Sequence, residues 1–441
     1  MTAIHDHTGT DQRLALSGSG PHELLRFATA GSVDDGKSTL VGRLLHDTKS
    51  VLADTLAAVE RASLAKGHDV ADLALLTDGL RAEREQGITI DVAYRYFSTA
   101  TRSYVLADTP GHIEYTRNMV TGASTAELAL VLVDARHGVV EQTRRHAAAA
   151  ALLGVRHLAL AVNKMDLVGF DRSVFAGIRD DFAAVARAVG VEDVVAIPVS
   201  ALCGDNVVDR SDRTPWYDGP TLLEHLEAVP VGEDPAREPF RFPVQYVIRP
   251  QTHAHHDHRG YAGRVAHGLV RVGDPVVVLP SGRPTLVAAI DGLDGPLEEA
   301  FAPQSVSLRL VDDLDVARGD LVAAAEAPPV PSQDLTGDVC VVSDRGVAAG
   351  DRVLVRHGTR TVGARVVAVT SRFDLVTLSS SAHVGSLAVN DIGRLSLRLA
   401  EQVATDGYAH LRRTGAFLVL DPHDGATLAA GMALAPRGTA T

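Results

Sequence analysis

The eight residues Gly31-Ser32-Val33-Asp34-Asp35-Gly36-Lys37-Ser38 constrain the fold more than anything else in the chain. They follow an apolar run, Leu24 to Ala30, that reads as a buried strand, and they precede a helical pattern from Ser38 to Leu45. A glycine-containing turn between strand and helix aims backbone N–H groups and the positive helix end at one point, which suits a phosphate. This spacing matches the P-loop pattern, in which Lys37 is expected to reach β- and γ-phosphates and the Ser38 hydroxyl to bind Mg²⁺. Thr39, next in the helix, is counted with the phosphate-binding residues.

Around that loop the sequence alternates. Tyr104 to Ala107, Leu128 to Val133, Leu158 to Val162 and Val194 to Val199 are short apolar runs expected as buried strands. Thr143 to Leu153 and Ser173 to Val189 carry helical spacing between them. The alternation predicts an α/β domain over residues 24–230, with a mostly parallel sheet and helices on both faces. An insertion from Val51 to Leu80 has a helical face at Val51, Leu52, Leu56 and Val59. Pro230 to Pro239, with three prolines and four charges, reads as a linker.

Past the linker the texture becomes β-like. Val244 to Ile248, Ala262 to Val265, Val276 to Leu279, Val306 to Leu310, Val339 to Val342, Val353 to Val355, Arg365 to Val369, Ile392 to Leu397 and Ala416 to Leu420 are candidate strands. Many short strands at this spacing suggest barrels or sandwiches. A second boundary near Pro328 to Pro331 divides them into residues 239–328 and 332–437, and residues 1–23 are expected as a flexible extension.

Composition excludes several classes. A net charge of −13 argues against a broad grip on nucleic acid, which needs clustered Lys and Arg. With only Cys203 and Cys340, neither a disulfide framework nor a thiolate metal site is in view. Cys340 reads as a buried strand residue and Cys203 as a loop residue. The first twenty residues hold no apolar signal-peptide core, and no run approaches 18 apolar residues, so a soluble, cytoplasmic protein is expected.

Which nucleotide the loop would hold is decided by Asn163-Lys164-Met165-Asp166, at the end of the run Leu158 to Val162. A carboxylate there can accept both the N1–H and the exocyclic amino hydrogens of guanine, whereas adenine presents a mismatched edge. Such a site can reject the wrong base by roughly 10⁴-fold, because buried groups would be left unpaired. Ser200-Ala201-Leu202, after the next strand, fits a loop whose amides meet the guanine O6. Asp108-Thr109-Pro110-Gly111-His112 follows the Tyr104 to Ala107 strand. Asp108 is expected to hold Mg²⁺ through a water, the Gly111 amide to sense the γ-phosphate, and His112 to orient the attacking water. Thr89, within Glu85-Gln86-Gly87-Ile88-Thr89-Ile90-Asp91, is placed to meet Mg²⁺ with its hydroxyl and the γ-phosphate with its amide.

These five motifs, in this order, resemble the translation-factor GTPase superfamily, and Asp-Thr-Pro-Gly-His is the most specific of them. Elongation factors usually have Asp-His-Gly-Lys in the P-loop, whereas this chain has Asp34-Asp35-Gly36-Lys37. Together with Asp78 to Tyr94, that departure resembles the GTPase subunit of bacterial sulfate adenylyltransferase (ATP sulfurylase). Tyr115-Thr116-Arg117-Asn118-Met119, Gln142-Thr143-Arg144-Arg145-His146, Pro215-Trp216-Tyr217, Gln245 to Pro250, Arg259 to Gly263, Asn390 to Gly393 and Thr414 to Phe417 agree with that family. The likeness runs from about Leu24 to Leu434.

The resemblance implies two β-barrel domains after the GTPase domain. It implies a smaller, separate catalytic subunit that joins sulfate to ATP, giving adenosine 5′-phosphosulfate and pyrophosphate. GTP hydrolysis in the large subunit would drive that uphill reaction. The chain carries neither a Ser-Gly-Gly-x-Asp-Ser loop nor a His-x-Gly-His motif, as that division of labour requires, and no second P-loop for a fused adenylylsulfate kinase. By the same likeness, Val33 and Ile88 match an apolar gate flanking His112. Two other readings share the motifs: a translation factor delivering tRNA, and a GTP-regulated scaffold. The run His253-Ala254-His255-His256-Asp257-His258 has spacing compatible with Zn²⁺, but a solvated loop between strands is the expectation.

Overall fold

The computed structural model describes residues 23–51, 73–76, 92–109, 121–231, 238–249, 259–374, 377, 379–382 and 384–435, with positions 57, 59, 61 and 63. The amino-terminal part is built on a six-stranded sheet. Its strands are β1 (Leu24–Ala30), β2 (Ala93–Ser98), β3 (Ser103–Asp108), β4 (Leu128–Asp134), β5 (His157–Asn163) and β6 (Val194–Pro198). Their order across the sheet is β2-β3-β1-β4-β5-β6, all parallel except the antiparallel edge pair β2–β3. Every residue of β4 is buried, so the strand shows no alternation, as a parallel strand covered on both faces should.

Helix α1 (Lys37–Asp47) follows β1, α2 (Glu141–Leu152) follows β4, and α3 (Arg172–Ala188) follows β5. One sheet face packs Leu25, Phe27, Leu106 and Leu130 against Leu40 and Leu44 of α1. Elsewhere Val131, Val133 and Leu160 pack against Phe175, Phe182 and Val185 of α3. Strand β1 lies between β3 and β4. From β1 the chain goes to the edge strand β2, comes inward to β3, then crosses to β4 on the other side of β1 and runs outward to β6. The carboxyl ends of the strands at this switch point are where ligands of open α/β sheets bind.

Two closed barrels follow. In the first, Arg241–Ile248, Gly260–Arg264, Pro275–Leu279, Arg283–Gly292, Ser305–Leu310 and Leu321–Ala324 pair around a ring that closes between Pro275–Leu279 and Arg283–Gly292. In the second, Pro331–Val341, Arg352–His357, Arg360–Asp374, Ile392–Ala404, Ala416–Leu420 and Thr427–Ala433 close between Arg352–His357 and Arg360–Asp374. Each barrel has its own apolar filling, around Phe242 and Ile290 in the first and Val355 and Leu395 in the second. Closure leaves the barrel strands without open edges.

The parts are pinned together. Arg241 of the first barrel, 3% exposed, makes a two-pronged pair with Asp406 of the second at 2.9 Å. The second barrel packs Cys340, Ile392, Tyr408 and Met432 into one apolar cluster with Ala148, Ala149 and Leu153 at the end of α2. Among the described residues no helix is long and apolar enough to cross a membrane.

Candidate nucleotide-binding site

The carboxyl ends of β1, β3, β5 and β6 bring four of the sequence motifs to one edge of the sheet. Gly31 follows β1, Thr109 follows β3, Lys164 follows β5 and Ser200 lies just past β6. Parallel register sets their depth, with Thr29 opposite Asp108 and Asp134 opposite Asn163.

The loop from Gly31 to Lys37 is held in an arc by its own polar groups. The Ser32 amide donates to Asp35 Oδ2 at 2.6 Å, and the Lys37 ammonium donates to the carbonyls of Gly31 and Ser32 at 2.9 and 2.7 Å. Gly36 caps α1 at a φ of 91°, and a Cβ there would sit 2.4 Å from Asn163 Nδ2. Both the backbone conformation and the close approach therefore require glycine. Among the described residues no side-chain cap bonds the start of α1, and its first turn has no acidic residue. Its leading N–H groups are thus available to an anion, and the residues fit a phosphate chain.

Charge is concentrated here. Burial pushes the Lys37 ammonium below its ordinary range, against the pull of Asp35, Asp108 and Asp34. Burial likewise raises the Asp35 carboxyl, opposed by the Ser32 amide and Lys37. Asp108, 1% exposed, accepts from the Thr29 hydroxyl at 2.8 Å, and the Thr109 hydroxyl donates to the Thr29 carbonyl at 2.5 Å. A buried carboxylate beside the lysine, with the Ser38 hydroxyl at the start of α1, is a donor set of hard oxygens that fits Mg²⁺.

The base-side motifs are tied to the loop. Asn163, 1% exposed, donates from Nδ2 to the Asp35 carbonyl at 2.7 Å and accepts the Ala201 amide on Oδ1 at 2.9 Å. It therefore joins the phosphate loop to the Ser200-Ala201-Leu202 loop. Lys164, at a φ of 61°, donates to the Asp34 carbonyl. Met165 is fully buried beneath it, and the Ser200 hydroxyl donates to Asp166 Oδ1 at 2.6 Å. Arg43 of α1 reaches across to the carbonyls of Ala201 and Leu202 at 3.1 and 2.5 Å. Leu202 is exposed.

Like Arg43, the residues Asp134, Gln142 and His146 were given no role at the site from sequence. Asp134, at the end of β4, accepts Lys164 Nζ at 2.9 Å and Arg136 Nη2 at 2.7 Å. Burial alone would raise its carboxyl, yet the bonds to Arg136 and Lys164 hold it well below the usual carboxylate range. The signal for it was a carboxylate closing an otherwise apolar run. His146 and Gln142, one turn apart on α2, meet the other side of the loop. The Gly31 amide donates to His146 Nδ1 at 3.0 Å, and the Ser32 hydroxyl to Gln142 Oε1 at 3.1 Å. Burial, with Lys37 and Arg145 nearby, pushes the His146 imidazole down to about 3, so it stays a neutral acceptor. Thr89, Pro110, Gly111, His112 and the His253–His258 run lie outside the described residues.

The comparisons agree with the geometry. The elongation factor Tu GTP binding domain matches residues 22–247, and the GTP-eEF1A C-terminal domain-like family matches residues 334–434. Fold and site together define a GTPase of the translation-factor superfamily. Among its relatives, the bifunctional enzyme CysN/CysC of Mycobacterium tuberculosis is 57% identical over 412 residues, covering 93% of this chain and 67% of that protein. Sulfate adenylyltransferase subunit 1 of Cellvibrio japonicus is 49% identical, covering 93% of this chain and 86% of its own length. The same subunit of Laribacter hongkongensis is 48% identical, covering 98% and 89%. The chain belongs to the sulfate adenylyltransferase subunit 1 family. The subunit numbering of those relatives implies a partner subunit in their assemblies.

Proposed function

We propose that this chain binds GTP and hydrolyses it to drive adenosine 5′-phosphosulfate formation, from ATP and sulfate, on a separate small catalytic subunit. The observation that carries the reading is one side chain. Asn163 fastens a phosphate loop to a base loop in a member of a sulfate adenylyltransferase family. Residues 24–230 form the GTPase domain in this reading, with barrels over residues 239–328 and 332–437.

Each residue then has a task. The amides of Gly31 to Ser38 and Thr39 cradle the phosphates, and Lys37 leaves the loop carbonyls for the β- and γ-phosphates. Asp166 accepts the guanine N1–H and amino hydrogens, while Asn163 and the Ser200-Ala201-Leu202 loop shape the rest of the base pocket. Ser38, Thr89 and, through a water, Asp108 would hold Mg²⁺, which supplies charge neutralisation for the transferred phosphoryl group. His112 orients the attacking water and the Gly111 amide reads the γ-phosphate. Val33 and Ile88 flank that histidine.

A pull-down of the tagged chain from its native cell tests the reading. Recovery of a small nucleotidyltransferase subunit is the expected result. Recovery of aminoacyl-tRNA or ribosomes, with no such subunit, would overturn it.

A further inference from the structure

Helix α2 touches the phosphate loop at one end and the second barrel at the other. At its amino-terminal half, Gln142 and His146 lie on one face, since residues four apart stack along a helix. They accept the Ser32 hydroxyl and the Gly31 amide, the first two residues of the loop. At the far end, the last carbonyls of any helix lack partners within it. The Leu153 carbonyl, just past α2, receives the Tyr408 hydroxyl at 2.7 Å and Arg412 Nη2 at 2.5 Å. A cation at a helix carboxyl end also complements the helix dipole.

The contact is built for closeness. Gly154 has a φ of 70°, and a Cβ there would lie 3.0 Å from Tyr408 and 3.3 Å from Arg412. The arginine spans a second joint as well, donating to the carbonyls of Ala126 and Ser124 at 3.0 and 3.2 Å. Those residues lie between the Asp108 motif and β4. Alanines at positions 147–150 of α2 are buried, so the helix is wedged and cannot shift without disturbing its packing. At about 1.5 Å per residue, Leu153 lies roughly 10 Å along the helix axis from His146 and roughly 16 Å from Gln142.

We infer that Tyr408 and Arg412 are positioning residues for the phosphate loop, acting through α2 and His146, so that the second barrel sets how tightly nucleotide is held. The barrel fixes the end of the helix, the helix fixes His146, and His146 fixes the Gly31 amide at the mouth of the cradle. Loosening the barrel joint therefore loosens the cradle. The inference rests on reading Gly31 to Ser38 as the phosphate site, and goes beyond it by assigning a remote control point.

The test follows release of a fluorescent N-methylanthraniloyl GDP from the full-length chain, chased with unlabelled GDP. Wild type is compared with Tyr408→Phe, Arg412→Lys, His146→Gln and the double variants of each barrel residue with His146→Gln. Thermal unfolding of every variant fixes a temperature at which all are folded. Loss of one net hydrogen bond corresponds to a change of about twofold to tenfold, so each barrel variant should release GDP faster by that factor. Added to His146→Gln, the same change should have a clearly smaller further effect, because only the Gln142–Ser32 bond then joins the strut to the loop. Release at the wild-type rate from both barrel variants, or factors that multiply in the double variants, would overturn the inference. Failure of the wild-type chain to bind the probe would instead sink the nucleotide reading, and this inference with it.

Discussion

Replacing Asn163 by alanine tests the geometry of the site at its narrowest point. The side chain is 1% exposed and uses both ends of its amide, one on the Asp35 carbonyl and one on the Ala201 amide. Truncation leaves two buried backbone groups without partners, each costing about 1–3 kcal/mol. The sum, about 2–6 kcal/mol, is divided between the fold and the ligand. Water entering the vacated space lowers it for the free protein, while a bound nucleotide keeps water out. Stability of the nucleotide-free chain, from urea unfolding, should therefore fall by about 1–3 kcal/mol, near the low end of that range. GDP affinity, from calorimetry, should fall by at least tenfold, since every 1.4 kcal/mol is a factor of ten. A stability change under about 0.5 kcal/mol, together with affinity within twofold of wild type, would refute the argument that Asn163 holds the two loops in register.

Three further outcomes are expected. Asp166→Asn should lose most GTP affinity and gain xanthosine 5′-triphosphate, because the amide offers a donor where the guanine amino group needs an acceptor; unchanged GTP binding by calorimetry would show the residue is misassigned. His112→Ala should keep nucleotide affinity within about threefold yet slow hydrolysis by on the order of 10²-fold, as expected of a group that acts in the transition state, measured as phosphate release with the partner saturating. Because His146 sits at about 3 in the folded chain against 6.5 for an ordinary histidine, only the unfolded chain binds its proton between those values. Stability should thus fall as pH drops through that window, by up to about 1.4 kcal/mol per pH unit from this group, and His146→Gln should remove that share of the slope in urea midpoints. An identical slope in the variant would contradict it.

Much of the fold could be read from the chain, with exceptions at β2, Arg283–Gly292, Leu321–Ala324 and Thr427–Ala433. β4 was legible because every position before its closing Asp134 is apolar and buried, and β1 because most of its positions are apolar and buried. β2 was not anticipated as a strand. Its Tyr94 and Tyr96 are exposed and only Phe97 is buried, stacked on Tyr104 at 4.5 Å, so an edge strand shows little of its face in sequence. Thr427–Ala433 was also missed. It is rich in alanine and glycine, poor strand formers, and is a strand because its neighbours on the barrel are. Gly431 in it and Gly337 on the adjacent strand Pro331–Val341 leave room for the Phe417 ring, which a Cβ would meet at 2.3 and 2.6 Å.

Four of the five motifs were legible for a different reason: each follows a strand whose apolar run marks its end. What stayed hidden came from elements distant in sequence. Arg43 meeting the Ser200 loop, Asp134 holding Lys164, and His146 meeting Gly31 are contacts across more than twenty-five residues, and each residue type taken alone has a bland role on a helix or at a strand end. Tyr408 and Arg412 reach the α2 terminus across some 250 residues, which no local pattern announces.

The central claim is that one nucleotide's hydrolysis drives the other reaction, and reconstitution measures it directly. The purified chain and the small catalytic subunit are mixed with GTP, ATP and sulfate, and adenosine 5′-phosphosulfate and GDP are followed in the same samples. The chain alone should hydrolyse GTP slowly and make no phosphosulfate. The two together should make both products at rates that depend on each other's substrates, and Thr89→Ala should abolish the GTP stimulation while sparing GDP binding. Phosphosulfate formation that is indifferent to GTP, or GTP turnover that is indifferent to the small subunit and its substrates, would contradict the account.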